Sequence, residues 1–165
     1  SLGPLDILHC IWYPDPVFDL PIFGADIVAN KKIVSAAITD ISPVDGIGHQ
    51  VYDDIADISR YYSFKHNRDM PIWGDIFSPY CKFARLQTEE ELETFCHVVN
   101  EYLDSFVGAV WKANIDYDRA EQRYNAQIDY CENQKRNDKT RKILEKYFGV
   151  KWADTYINEV LFDVP

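Results

Sequence analysis

Several features are scarce in this sequence, and each absence excludes a class of protein. Only four cysteines occur and no two form a C-x-x-C unit, so the zinc and iron–sulfur sites built on such units are not expected. Basic residues number 17 against 27 acidic ones, and the net charge of −10 argues against a general nucleic-acid binder. No apolar run approaches the roughly 18 residues of a membrane span, and residues 1–10 lack the basic start of a signal peptide. We therefore expect no nucleic-acid or membrane partner, and reduced cysteines, with Cys10 and Cys96 in the core.

The common catalytic motifs are absent as well. The sequence contains no G-x-S-x-G, Walker A, G-x-G-x-x-G or H-E-x-x-H pattern, which removes the usual hydrolase, P-loop, dinucleotide-binding and zinc-protease interpretations. Aromatic residues, in contrast, make up 15% of the 165 residues. They indicate either a thick aromatic core or a pocket for a large flat ligand, and composition leaves both open. The length fits one domain over residues 1–165.

Apolar periodicity predicts strands in the first half of the chain and helices in the second. The predicted strands are residues 5–13, 22–29, 33–41 and 80–86. The predicted helices are residues 51–64, a helix opened by the capping box of Thr88 and Glu91, and residues 117–134, 138–148 and 151–161. Because only residues 30–32 separate the second and third strands, these should form an antiparallel hairpin. This order predicts an α+β fold, an antiparallel sheet covered by helices.

Two titratable residues interrupt the first two strands. His9 shares its strand face with Ile7 and Ile11, and Asp26 shares its own with Gly24. If the first two strands are neighbours, His9 and Asp26 can converge on one face. The pair can be a satisfied structural pair in the core, or a proton donor beside a histidine that shares its proton, with Gly24 leaving room for a ligand.

The hairpin predicts a register for this face. With a loop at residues 30–31, Ala29 pairs with Lys32, and Asp26 then lies opposite Ser35 on the same face. A slip of one residue would change this assignment, so the register is the weakest part of the prediction.

The second unusual stretch is KRNDKTRK, residues 135–142, in which five of eight residues are basic. One interpretation is a solvated helix start, with Asn137 or Asp138 as the N-cap and the cations directed outward. The other is an anion site for ligand carboxylates or for an acidic partner protein, with Asp138 as a second candidate carboxylate. Arg68, in the loop before PIWG, is either a surface charge or a carboxylate clamp.

Several long blocks resemble one known family. LDILHC, LPIFGADIVA, VSAAITDISP, MPIWGDIFSPYC, QKRNDKTRKILEKYFG and EVLFDVP resemble segments of the ferredoxin-dependent bilin reductases, and the resemblance runs from Leu5 to Val164. It implies an α/β/α three-layer sandwich with a central antiparallel sheet flanked by helices. It also implies reduction of biliverdin IXα to a phycobilin, phycocyanobilin being the expected product. No bound cofactor or metal is implied, and electrons arrive singly from a reduced [2Fe–2S] ferredoxin, through bilin radicals.

The resemblance assigns proton transfer to three residues. Asp26 corresponds to the family's central proton donor near the pyrrole nitrogens, and His9 to the histidine of its LDILHC strand. Asp138 corresponds to a carboxylate that transfers protons in some relatives. Each electron leaves a more basic tetrapyrrole, so that a nearby acid must deliver a proton.

The resemblance assigns substrate binding to four further residues. Arg68 and Lys139 are expected to meet the two propionates and so orient the ring system. Ser35 and Asn137 are expected to line the pocket. The basic run is also expected to help in docking an acidic ferredoxin.

One departure from the family leaves the product open. Relatives extend further at the N-terminus, where a glutamate of an HLE-type motif serves exovinyl reduction, so this chain corresponds to the C-terminal two-thirds of the family's fold. The alternatives are a phage-type relative that makes phycoerythrobilin, or a chain that binds bilin without turnover. The expected setting is a monomer in the cytoplasm of a cyanobacterium or phage-infected host, or in a plastid.

Overall fold

Four strands form one antiparallel sheet in a computed structural model that describes residues 5–30, 33–46 and 48–163. The strands lie in sequence order across the sheet: β1 (Leu5–Trp12), β2 (Ile22–Asn30), β3 (Val34–Ser42) and β4 (Lys82–Leu86). The helices are α1 (Val51–Tyr61), α2 (Glu89–Lys112), α3 (Ala120–Gln134), α4 (Asp138–Phe148) and α5 (Val150–Tyr156). A π-helical segment (Ile157–Leu161) continues α5, and a 3-10 turn (Gly74–Ile76) lies in the loop before β4. None of the helices in these ranges is long and apolar enough to cross a bilayer.

The alternation of side chains along β2 explains why the sheet is covered on both faces. Phe23 and Ala25 point into the larger core, which α1 and α2 complete with Ile55, Phe95 and other apolar side chains. The intervening residues of β2 point to the opposite face, towards the C-terminal helices.

Helices α3, α4 and α5 cover this opposite face. Cys131 and Leu144 lead a cluster that packs against Ile11 and Tyr13 from the first strand and its following loop. Two helical layers therefore enclose the sheet, and the predicted α+β fold with an α/β/α sandwich is confirmed.

The register between β1 and β2 brings His9 directly opposite Asp26. The register between β2 and β3 differs from the prediction, because Asp26 pairs with Ile38 and not with Ser35. Ala29 pairs with Val34, whereas Lys32, its predicted partner, lies outside the described residues. A β-bulge between Val28 and Ala29 shifts the ladder at this point, and such a bulge cannot be read from a period-2 pattern.

Helix ends follow their capping residues. At the start of α2, the Thr88 side chain accepts a hydrogen bond from the backbone N–H of Glu91 at 3.1 Å, and the Glu91 carboxylate accepts one from Gln87 N–H at 2.7 Å. At the end of α4, Gly149 adopts φ 84°, a conformation that favours glycine. The prediction that Cys96 lies in the core is wrong, because α2 buries Phe95 and its neighbours one and two turns on, and Cys96 is exposed.

Candidate functional site

A cavity of about 490 Å³ lies between the sheet and the C-terminal helices. Strands β1, β2 and β3 form its floor, the loop before β4 forms one wall, and α3, the start of α4 and the end of the π-helical segment form the other. This volume lies within the roughly 300–1,000 Å³ that small-molecule sites occupy. The seven residues that the sequence singled out for catalysis or binding all line it: His9, Asp26, Ser35, Arg68, Asn137, Asp138 and Lys139.

The His9–Asp26 pair on the floor is not a closed structural pair. His9 Nδ1 lies 3.9 Å from Asp26 Oδ1, which is too far for a hydrogen bond, and the side chains are 23% and 31% exposed. His9 Nε2 and Asp26 Oδ1 are shielded from solvent and have no hydrogen-bond partner within the described ranges. Since shielded polar atoms are normally paired, these two atoms on the cavity floor are available for hydrogen bonds to a bound molecule.

The central strand holds Asp26 in place. β2 pairs with β1 on one side and β3 on the other, so the backbone around Asp26 is held by two ladders. On the same strand face, Gly24 also lines the cavity, and a Cβ there would meet the Tyr130 hydroxyl at 3.4 Å, an ordinary contact distance. The Phe162 ring meets His9 edge-on at 5.6 Å and limits how far the imidazole can swing.

The Arg68 side chain extends from the loop before β4 to the sheet. Its Nη1 donates to the Ser35 carbonyl at 2.6 Å, and its guanidinium lies over the Phe83 ring, 5.0 Å from the centroid. The other N–H groups of the guanidinium make no hydrogen bond to protein within the described ranges. Ser35 Oγ donates to the Val28 carbonyl at 3.0 Å, which holds the bulge that presents Ser35 to the cavity. Arg68 is therefore oriented, with donors left for an anionic group.

The start of α4 brings a second set of donors to the rim. The Asn137 side chain caps the helix by accepting from Thr140 N–H at 3.4 Å, while Asp138 and Lys139 are exposed in the first turn. Lys139 makes no hydrogen bond or ion pair with any residue that the structure describes. A helix start and a free ammonium group both favour an anion at this rim. The Asn137 N-cap of the first interpretation is therefore confirmed, while the anion site of the second stays a prediction for which Lys139 lines the cavity.

Two polar residues on α3 were missed in the sequence. Gln134 Nε2 donates to the Tyr130 hydroxyl at 3.0 Å, and both residues line the cavity. Burial raises the pKa of the Tyr130 phenol, so that it stays protonated and can donate. The spacing of four residues on a helix was the available signal, but α3 mixes polar and apolar residues on its buried side and shows no clear apolar stripe.

The cavity has the properties of a site for a large, flat, anionic molecule. Aromatic side chains, among them Trp73, Phe77 and Phe83, supply the walls, and cations lie at the two rims. No group of three or more His, Cys, Asp or Glu that could hold a metal ion occurs among the residues described. The fold and site thus define an enclosed aromatic cavity over a histidine–carboxylate pair, with a shape and charge that suit one extended, carboxylate-bearing ligand.

Comparison with known proteins identifies the family. A family model described as ferredoxin-dependent bilin reductase matches residues 3–163, and the chain belongs to this family. The chain is 45% identical over 166 residues to phycocyanobilin:ferredoxin oxidoreductase of Prochlorococcus marinus (strain MIT 9303), a match that covers 99% of this chain and 63% of the relative. It is 46% identical over 165 residues to the protein of the same name from Synechococcus sp. (strain CC9902), covering 98% and 67% respectively. The chain therefore spans about two-thirds of the length of these relatives.

A solved structure shows the same fold. The crystal structure of phytochromobilin synthase from tomato in complex with biliverdin matches with a TM-score of 0.82 and 20% sequence identity. The match covers 96% of this chain and 60% of that one. At this identity the likeness establishes the fold, and the roles of individual side chains must be argued from this chain.

Proposed function

We propose that this chain binds biliverdin IXα in the cavity and reduces it to a phycobilin, with electrons from reduced ferredoxin and phycocyanobilin as the product. The observation that supports this most directly is the open His9–Asp26 pair on the cavity floor. Membership of the ferredoxin-dependent bilin reductase family supports the reaction class. Relatives named phycocyanobilin:ferredoxin oxidoreductase support the product.

The pair on the floor supplies protons in this proposal. Single electrons from a [2Fe–2S] ferredoxin convert the bilin into radicals, and each radical is more basic than the molecule it came from. Asp26 gives its proton to the reduced tetrapyrrole, and His9 passes a second proton, taken up from solvent, to Asp26. Asp138, exposed at the α4 rim, is a further proton donor at the cavity mouth. Electrons come from outside the protein, so no bound cofactor is part of the proposal.

The rims orient the substrate. Within the part of the chain that the structure describes, Arg68 has guanidinium donors left over and the Lys139 ammonium group has no partner, so each can bind one propionate. Ser35 and Asn137 complete the rim on either side. Two fixed carboxylates would hold the tetrapyrrole in one orientation over Asp26, and this is the positioning that proton transfer requires.

The test is anaerobic turnover of biliverdin with reduced ferredoxin, followed by chromatographic separation of the products. We expect biliverdin absorbance to fall and phycocyanobilin to appear. Phycoerythrobilin as the main product would instead favour the phage-type alternative. Unchanged biliverdin absorbance would reject turnover by this chain.

A second candidate function is bilin binding without turnover. It is favoured by the fact that the chain spans only 63% to 67% of the length of the relatives named above. This candidate predicts a shifted visible spectrum when biliverdin is added and no reduction when ferredoxin follows. A spectrum that does not change at all would reject both candidates.

The remaining parts of the proposal concern setting and assembly. We propose a single domain over residues 1–165 that acts as a monomer in the cytoplasm of a cyanobacterium or of a phage-infected host, or in a plastid. The cyanobacterial source of the relatives supports the first of these settings. Size-exclusion chromatography with light scattering tests the monomer, and a mass of twice 19.2 kDa would contradict it.

A further inference from the structure

A buried carboxylate lies at the edge of the cavity and has no part in the chemistry above. Asp40, on β3, is only 2% exposed and is the most deeply buried acidic residue of the described ranges. It lines the cavity, and no cation forms an ion pair with it in the part of the chain that the structure describes. Burial raises the pKa of its carboxyl group, while hydrogen bonds from Ser42 and Ser78 act in the opposite direction. A buried acid without a counter-ion is costly, so its partners should show what it does.

Most hydrogen bonds of Asp40 go to a single residue on another segment. Ser78 Oγ donates to Asp40 Oδ1 at 2.5 Å, and Ser78 N–H donates to Asp40 Oδ2 at 2.9 Å. Ser42 Oγ adds a bond to Oδ2 at 2.7 Å from within β3 itself. Asp40 therefore accepts hydrogen bonds from both the backbone and the side chain of Ser78, which is itself only 4% exposed.

Ser78 ends the segment that forms the aromatic wall of the cavity. We call residues 69–77 the wall segment; Trp73 and Phe77 of this segment line the cavity, with ring centroids 6.0 Å apart. Within the described ranges, the wall segment makes hydrogen bonds only inside itself, from Gly74 N–H to Pro71 and from Phe77 N–H to Gly74. Its ends are tied to the sheet at Arg68, whose N–H donates to the Phe83 carbonyl at 2.8 Å, and at Ser78, through Asp40.

We propose that Asp40 is a positioning residue that clamps the wall segment through Ser78 and thereby sets the orientation of the tetrapyrrole in the cavity. The part that concerns the tetrapyrrole rests on the proposed function. Phe77 directly precedes Ser78 in the chain, so the clamp also holds the Phe77 ring against the Tyr130 ring, with 6.4 Å between the two centroids. A shift of this wall would change which face and which end of a flat ligand lie nearest to Asp26.

The number of donors explains why a carboxylate is used. Ser78 N–H, Ser78 Oγ and Ser42 Oγ all donate to Asp40, and a hydroxyl group could not accept from three donors that arrive from two directions. An asparagine can nearly reproduce the arrangement. Its amide oxygen takes the place of Oδ2, and its amide nitrogen donates to Ser78 Oγ, because a hydroxyl group accepts as well as donates. The charge is therefore dispensable for a clamp, whereas it is essential for a proton relay.

Four variants test whether Asp40 clamps the wall segment. They are Asp40→Asn, Asp40→Ala, Ser78→Ala and, as the matched control, Ser42→Ala. Hydrogen exchange of the wall segment is measured on each chain alone, and the visible spectrum is recorded after biliverdin is added. We expect about tenfold faster exchange in the wall segment and a shifted bilin band for Asp40→Ala and Ser78→Ala. We expect exchange and spectrum close to the unaltered chain for Asp40→Asn and Ser42→Ala.

The outcomes that overturn the proposal are specific. Unchanged exchange in Asp40→Ala removes the clamp. If that variant does not fold by circular dichroism, unchanged exchange in Ser78→Ala overturns the side-chain part of the clamp, because this variant keeps the Ser78 N–H bond to Asp40. If the wall segment exchanges as fast in Asp40→Asn as in Asp40→Ala, the amide does not replace the carboxylate, and the claim that the charge is dispensable for the clamp is wrong. If the unaltered chain shows no spectral shift with biliverdin, the proposed function fails together with the role in orientation, while the exchange rates still decide whether Asp40 clamps the wall segment.

Discussion

Replacing Asp26 by asparagine separates a structural His–Asp pair from a functional one. The His9–Asp26 separation is 3.9 Å, which corresponds to an attraction of about 4 kcal/mol at an effective dielectric constant of about 20 and about 1 kcal/mol in water. No hydrogen bond joins the two side chains, the attraction exists only when His9 is protonated, and desolvation of a shielded carboxylate offsets part of it, so the lower value is the better guide to the net effect. Asp26→Asn should therefore lower the free energy of unfolding by about 1 kcal/mol or less.

Turnover should respond far more strongly than stability. Loss of a positioned general acid typically costs about 10²- to 10⁴-fold in rate, and the amide that replaces the carboxyl group has no proton to give at neutral pH. Asp26→Asn should keep the biliverdin-induced spectral change, because the amide still fills the same space and still forms hydrogen bonds. The proposed reaction should then slow by at least about 100-fold.

The assay pairs urea unfolding with single-turnover reduction on the same preparations. With a urea dependence of about 2 kcal/mol per molar, the stability change should move the midpoint by about 0.5 M or less. Asp6→Asn is the matched control, since it removes the same charge from an exposed position outside the cavity. A loss of 3 kcal/mol or more with full turnover would show that the pair is structural and would refute the reasoning.

Three further predictions concern binding and stability. Lys139→Ala should weaken biliverdin binding by about 10- to 100-fold, by loss of one charge-assisted hydrogen bond, and should leave binding of the biliverdin dimethyl ester unchanged; equal losses for both ligands would contradict a propionate contact. Thr88→Ala should destabilise the chain by about 1 kcal/mol in thermal or urea unfolding through loss of the α2 cap, and an unchanged midpoint would show that the cap contributes nothing. Asp40→Asn should change the pH dependence of stability. Because burial raises the pKa of Asp40 in the folded chain, the folded state binds more protons than the unfolded one between about pH 4 and that raised pKa, and stability falls as pH rises through this window. The variant should lack this fall, and parallel pH curves for the two chains would be the contrary result.

The sheet and the pair on its floor could be predicted because local patterns determine them. Alternating apolar residues locate β1, β2 and β3 within a residue of their observed ends, and a connection of a few residues makes the second and third strands antiparallel neighbours. The sequence predicts that His9 and Asp26 can share one face if β1 lies beside β2, whereas their direct pairing depends on a register that only the structure gives. The Thr88 cap was likewise visible, because it depends only on residues within one turn.

The features that could not be predicted from the sequence are mostly those that depend on contacts between residues distant in sequence. Nothing in the alternation reveals the wider turn, which pairs Ala29 with Val34, or the bulge beyond it. Together they move the partner of Asp26 from Ser35 to Ile38. The sequence of the wall segment shows no apolar periodicity. Its position depends on the bonds that tie its two ends to the sheet, at Arg68 and through Asp40, and these bonds join residues distant in sequence. Cys96 was assigned to the core because a stripe of about 100° leaves its edges ambiguous by one residue.

The candidate residues of the cavity lie on elements of different rigidity, and this difference should decide whether a substitution changes kcat or KM. Asp26 lies on a strand held by ladders on both sides, whereas Lys139 lies exposed in the first turn of a helix. A ladder fixes an acid well enough for proton transfer at a defined atom, while a long flexible cation can follow a mobile propionate. Changes at Asp26 should therefore act mainly on kcat, and changes at Lys139 mainly on KM. A rim variant that lowered kcat with KM unchanged would mean that Lys139 stabilises the reacting state itself, and the separation between floor and rim would then be wrong.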